Sequence, residues 1–216
     1  MTDLYAQVRT KDAGAQIVAA ARPESRPSPE NEAAEARLQR ELPQLPPEIK
    51  HLAALIYGEA TAEVPDETEM LAIGWTVRNR LMHTKIVPSD RKWFGHGDYK
   101  DIIEHKGPDN THQYVAVDEA RKENPKEKRY RNFLDRRFFD DSKEIEFALL
   151  CVGIAKKIVS SPGPDKTYDY IWFKALQRSG KVPSNPSPKR AEDPPSLIHR
   201  HYFWRFAPGK DGVVKK

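Results

Sequence analysis

Apolar residues recur at helical spacing in several stretches of the chain, and the breaks between them are marked by proline, glycine and capping residues. From Glu48 to Tyr57 the positions Ile49, Leu52, Ala53, Leu55 and Ile56 share one side of a helix. Pro47 fits its first turn, where the missing N–H loses no useful donor, and Gly58 marks its end. Asp66-x-x-Glu69 is a capping-box pattern ahead of Met70, Ile73, Gly74, Val77 and Leu81, the strongest helix signal in the chain. In this pattern Glu67 and Glu69 read as first-turn acids that serve the cap and the helix dipole. Asp141-x-x-Glu144 opens a last long helix, with Ile145, Ala148, Leu149, Val152, Ala155 and Val159 on one side and Ser161-Pro-Gly-Pro164 as its stop.

Other stretches are weaker in period. Ser28 as N-cap and Pro29 at the first helical position start a helix through Leu42, docked on the body by Leu38 and Leu42 and ended by Pro43, Pro46 and Pro47. Val87 to Asn110, with Pro88, Gly95, Gly97, Gly107 and Pro108, reads as a long loop, and Val115 to Glu123 as a short helix. Two aromatic clusters, Tyr168 to Phe173 and His201 to Phe206, read as short strands paired across a Pro- and Ser-rich excursion from Val182 to Ser196. The expected architecture is mainly α (α+β) with a small β element near the C-terminus. It divides into an N-terminal arm (1–45), a body (46–208) and a tail (209–216).

Composition adds limits. With 216 residues and 38% hydrophobic content, one core plus appendages is the default. No run reaches the roughly 18 apolar residues of a membrane span. The N-terminus lacks a basic patch followed by an apolar stretch, so the expectation is cytoplasmic synthesis without a signal peptide. Cys151, the single cysteine, lies among apolar residues and reads as core. A formal charge of +4, with eight Lys or Arg against three Asp or Glu between Arg121 and Arg137, suits a polyanionic partner.

The position that carries chemistry is Glu59. Leu52, Leu55 and Ile56 precede it by seven, four and three residues, so it follows the stripe that its helix turns inward. A carboxyl at the carbonyl end of a helix, beside apolar neighbours, is pushed toward its protonated form. A protonated carboxyl near neutral pH is what glycoside cleavage needs to protonate the leaving oxygen.

Leu52-Ala-Ala-Leu-Ile-Tyr-Gly-Glu-Ala60, followed by Met70-Leu-Ala-Ile-Gly-Trp-Thr-Val-Arg-Asn-Arg80, resembles the spore-cortex-lytic (SleB-type) cell-wall hydrolases. The similarity continues through Ile154 to Val159, Ser161 to Pro164, Ile171-Trp-Phe173 and His201-Tyr-Phe-Trp-Arg205, and spans about residues 49–205. The resemblance implies a lysozyme-like helical catalytic domain acting on the glycan strand of peptidoglycan, with Glu59 as catalytic acid. Two departures stand out: Thr61-Ala-Glu63 where the family has Arg-Gly-Glu after Glu-Ala, and Tyr114-Val115 where it has a Phe-Ser pair. Aromatic rings stack on sugar faces, so Tyr168, Tyr170, Trp172, Phe173 and Tyr202 are candidate wall residues, and Tyr170, Phe173, His201 and Tyr114 are taken as the candidate substrate-binding residues.

Two-carboxylate hydrolysis requires a second Asp or Glu at about 5–5.5 Å or 6.5–9.5 Å from the first, and the sequence offers no evident one. A lone glutamate suits a lytic transglycosylase, in which one carboxyl protonates the glycosidic oxygen and then helps the sugar's own 6-hydroxyl close an anhydro ring. No cofactor or metal is expected in that chemistry. The alternatives are a zinc-dependent cell-wall amidase or peptidase using His199-x-His201, and a non-catalytic basic module binding DNA or anionic wall polymer through Lys126, Lys128, Arg129 and Arg131. Of these partners peptidoglycan glycan strands come first, ahead of nucleic acid. A wall enzyme without a leader implies a phage-lysis enzyme or antibacterial effector delivered by a non-Sec route into the periplasm of a target cell, accompanied by an immunity protein or secretion chaperone.

Overall fold

The computed structural model describes residues 29–60, 63–118, 128–137, 142–163, 165–175, 182–187 and 189–211. The first 28 positions, with the Ser28 cap, lie outside that set, as do Asp141, Pro164, 119–127 with Lys126 of the basic stretch, and 212–216. Among the described residues the chain is mainly helical. In order come α1 (Pro29–Glu41), α2 (Pro47–Glu59), α3 (Glu67–Ile86), α4 (Arg91–Phe94), α5 (Tyr99–Ile103), α6 (Arg129–Leu134) and α7 (Ser142–Ser160). Three strands near the C-terminus follow: β1 (Trp172–Ala175), β2 (Ser196–Ile198) and β3 (His201–Trp204). No helix among the described residues is long and apolar enough to cross a membrane.

α2 is the centre of the molecule. Its six consecutive residues Leu52 to Tyr57 are all buried, so the helix is enclosed on every side rather than along the single stripe its periodicity predicts. The small side chains of Ala53 and Ala54 allow this, and α3, α5, α6 and α7 pack around it. Full burial of each large aliphatic side chain in that run is worth about 1.5–3 kcal/mol. α3 reaches α2 at Gly74, where a Cβ would collide with Ile158 of α7 and crowd Ile56 of α2. α1 docks through Leu38 and Leu42, both fully buried in the same core. Cys151 is buried there too, and desolvation pushes its thiol far above the ordinary range.

The helix signals have identifiable partners. Pro47 occupies the first turn of α2. The Asp66 carboxylate accepts from Glu69 N–H at 2.8 Å and caps α3. At the other end of α3 the tripeptide Arg78-Asn79-Arg80 fastens three separate pieces of chain. Arg78 donates to the carbonyls of Ile158, Val159 and Ser161, covering the C-terminus of α7. Asn79 donates to the carbonyls of Tyr168 and Tyr170, and Arg80 Nε donates to that of Ile171 at 2.8 Å.

The strands form an antiparallel sheet in the order β1-β3-β2, with Phe173 opposite Phe203 and Ala175 opposite His201. The two aromatic clusters therefore pair as predicted, and the excursion between them ends in an unpredicted strand, β2, on the far side of β3. Two further stretches differ from expectation. The 87–110 loop contains α4 and α5, because Asp98 caps the latter and Tyr99, Ile102 and Ile103 bury against the body. Residues 115–117 form a turn rather than a helix start, since Tyr114 is drawn into the core and the Ala116 amide is drawn to a side chain of α2. The rest of that expected helix, 119–123, lies outside the described residues.

Candidate active site

Between the helical body and the sheet lies an open cleft of about 1540 Å³. Its walls come from the end of α2, both ends of α3, the α4 segment, the 107–116 loop, β1, the 186–190 segment and the β2–β3 turn. Both helices that bear the resemblance motifs contribute to it.

Glu59 is the last residue of α2 and stands half-buried in the cleft wall. Its Oε1 accepts from Ala116 N–H at 2.7 Å. The approach that makes this bond depends on Gly58, where a Cβ would sit 2.6 Å from Ala116 Cβ. The Gly-Glu pair thus has a local reason: glycine lets the 115–117 turn come close enough to hold the neighbouring carboxylate.

A second glutamate enters the same cleft, contrary to the expectation that Glu69 serves as a cap. Glu69 is 1% exposed and turns away from the helix terminus toward the β2–β3 turn. Its Oε1 accepts from His201 Nδ1–H and from Arg200 N–H, each at 2.8 Å, and its Oε2 accepts from His199 Nδ1–H at 3.3 Å. Burial opposes ionisation of Glu69, but these donors outweigh it and hold the carboxyl below its ordinary range. Glu67, by contrast, is an exposed first-turn acid facing Lys157. His199 has φ 47 in the turn before β3, so it and His201 do not share one face of a strand as the zinc reading needs. Both rings converge on one carboxylate as hydrogen-bond donors. Among the described residues no group of three or more His, Cys, Asp or Glu is placed to hold a metal ion.

The aromatic candidates separate. Phe173 and His201 line the cleft, with their rings edge-on at 5.3 Å. Tyr170 does not line it: its ring is buried between Phe203 at 5.2 Å and the Arg205 guanidinium at 4.7 Å, which makes it a core residue. Tyr114 is buried behind the wall, its ring 5.7 Å from that of Phe173. Desolvation pushes its hydroxyl up to about 12, and the Glu59 charge adds to the rise while Arg80 opposes it. Trp93, 45% exposed, and Trp172 also line the cleft. Trp93 does not stand among the candidates above; its one available signal was a tryptophan inside the Gly- and Pro-rich stretch 87–110.

Two basic features also resolve. Arg129 of the basic stretch turns inward, its guanidinium 4.5 Å over the Tyr57 ring with Nη1 donating to Ala60 O, so it is not part of a phosphate-facing surface. Arg190 pairs with Asp90 through both carboxylate oxygens, at 3.0 and 2.6 Å, and His83 bonds the same group at 2.6 Å. Burial works against that ionised aspartate, but Arg190 and His83 keep its carboxyl below the ordinary range. This cluster fastens the 186–190 wall to the end of α3. No family model, curated protein or solved structure matches the chain.

Proposed function

We propose that the protein cleaves the glycan strand of peptidoglycan through a lysozyme-like arrangement in which Glu59 is the general acid. The observation that carries this reading is the position of Glu59: a half-buried carboxyl at the C-terminal end of a buried helix, with the Ala116 amide on Oε1, in the wall of a cleft large enough for a chain of sugars. Trp93, Trp172 and Phe173 supply aromatic surface in the same walls, suited to the apolar faces of sugar rings.

Lytic transglycosylation is favoured over two-carboxylate hydrolysis. Glu69 is buried and its oxygens are engaged by His201, His199 and the Arg200 amide, which suits a fastening and not a nucleophile presented to an anomeric carbon. Asp109, the other carboxylate in the cleft wall, accepts from Thr111 N–H and Oγ1 within its own turn. A single carboxyl that first gives and then retakes a proton fits Glu59 best.

The deciding experiment is digestion of purified peptidoglycan by wild type and Glu59→Gln, with fragments identified by mass spectrometry. Anhydro-sugar ends from the wild type alone are the expected result. Only reducing ends would replace transglycosylation by hydrolysis, and intact glycan strands in both samples would remove the glycosidase reading.

A further inference from the structure

Arg80 is 3% exposed, yet it forms part of the cleft wall. Its Nε is used by the Ile171 carbonyl, but Nη1 is buried with no hydrogen-bond partner. The guanidinium lies 4.8 Å from the Tyr114 ring and 5.4 Å from the Phe94 ring. The rings stabilise the cation, but the nitrogen itself stays unsatisfied. The Tyr114 hydroxyl beside it also completes no hydrogen bond of good geometry. Burial disfavours the charged guanidinium, and among the described residues no carboxylate forms a salt bridge with it to offset that.

An arginine kept buried and unpaired at the wall of a cleft matches an anion that arrives with the ligand, because its planar fork accepts a carboxylate's two oxygens. The surroundings agree in sign. Five Lys or Arg line the cleft against three Asp or Glu, with Lys174, Lys189 and Arg200 among the cations. Arg80 and Glu59 line the same cleft.

We propose that Arg80 is a substrate-reading residue that takes a free carboxylate borne by a saccharide in this cleft, as on glycan strands whose stem peptides have been removed, so that the cleft selects acidic glycans over neutral ones. The word saccharide rests on the glycosidase reading above; the carboxylate site does not.

The test compares binding of N-acetylmuramic acid, which carries a free carboxylate, with that of N-acetylglucosamine, which does not, to the full chain by titration calorimetry or ligand-observed NMR. Wild type is expected to bind the acidic sugar at least about tenfold more tightly. Arg80→Gln is expected to erase that preference while leaving N-acetylglucosamine binding in place, which also reports that the cleft is folded. Arg80→Lys keeps the charge without the fork and is expected to retain part of the preference, and it serves as the variant to read if Arg80→Gln does not fold. Equal affinity for the two sugars in the wild type overturns the proposal, as does an equal loss for both sugars in a folded variant. Cleavage of peptide-stripped glycan strands and of neutral chito-oligosaccharides separates the two readings. Preference without cleavage of either polymer leaves Arg80 assigned and removes the glycosidase. Glu59-dependent cleavage without preference removes the Arg80 assignment alone.

Discussion

Glu59 and Glu69 sit ten residues apart at facing helix ends, and they are held in opposite ways. Glu59 closes α2 at its carbonyl end, half-buried, with the Ala116 amide on Oε1. Glu69 lies in the first turn of α3, almost wholly buried, with two imidazoles and an amide around it. The first environment leaves a carboxyl half-buried in the cleft wall. The second enforces the ionised form and spends it on joining α3 to the β2–β3 turn. Surroundings, not residue type, divide the two roles.

The largest expected effect breaks the comparison on the Glu59 side. Glu59→Gln is expected to lower glycan cleavage by about 10²–10⁴-fold, the range for a general acid, with the melting temperature nearly unchanged. A variant that loses stability instead would make Glu59 a structural group. Glu69→Gln is expected to do the reverse, costing about 1–3 kcal/mol of stability in chemical denaturation because buried hydrogen-bond donors lose an acceptor. An unchanged denaturation midpoint would show that the β2–β3 turn is held by something else. Gly58→Ala is expected to cost about 1–3 kcal/mol through overpacking against Ala116, and to lower cleavage as the 115–117 turn is forced off Glu59.

Acidification sharpens the contrast further. The folded-state carboxyls of Glu69 and Asp90 lie below their ordinary values of 4.5 and 3.8, so their contribution is complete above those values. It is lost as pH falls through the lower folded-state values. Stability measured by denaturant titration should therefore decline on acidification below about pH 4.5, and less steeply in Glu69→Gln. The smallest effect is expected for Trp93→Ala: stability within about 0.5 kcal/mol of wild type, as for an exposed side chain, but a raised KM for glycan. An unchanged KM would remove Trp93 from the sugar-binding surface.

Much of the helical frame was legible because its signals are local. Pro47, the Asp66 cap and the apolar runs of α2, α3 and α7 act within a turn or two of themselves, and Leu38 and Leu42 needed only an apolar partner. Glu59 was legible for the same reason, as a carboxyl out of place at a helix end. Glu69 was not, because Asp66-x-x-Glu69 describes a capping box equally well, and its partners stand about 130 residues away. Arg80 reads in sequence as the end of an Asn-Arg motif, and only the packing of Tyr114 and Phe94 around it reveals a buried cation. Tyr170 lies in the core because it precedes β1, where its ring packs on Phe203 and Arg205, and the aromatic run 168–173 does not say where the strand begins.

The tripeptide Arg78-Asn79-Arg80 has a mechanical consequence. By joining the end of α7, the 168–170 segment and the entry to β1 to one turn of α3, it makes the helical body and β1 a single fixed jaw. The 107–111 segment lies outside that jaw and lines the same cleft. Exchanging its sequence offers a way to retune which ligand is admitted while the Ala116 bond to Glu59 stays in place.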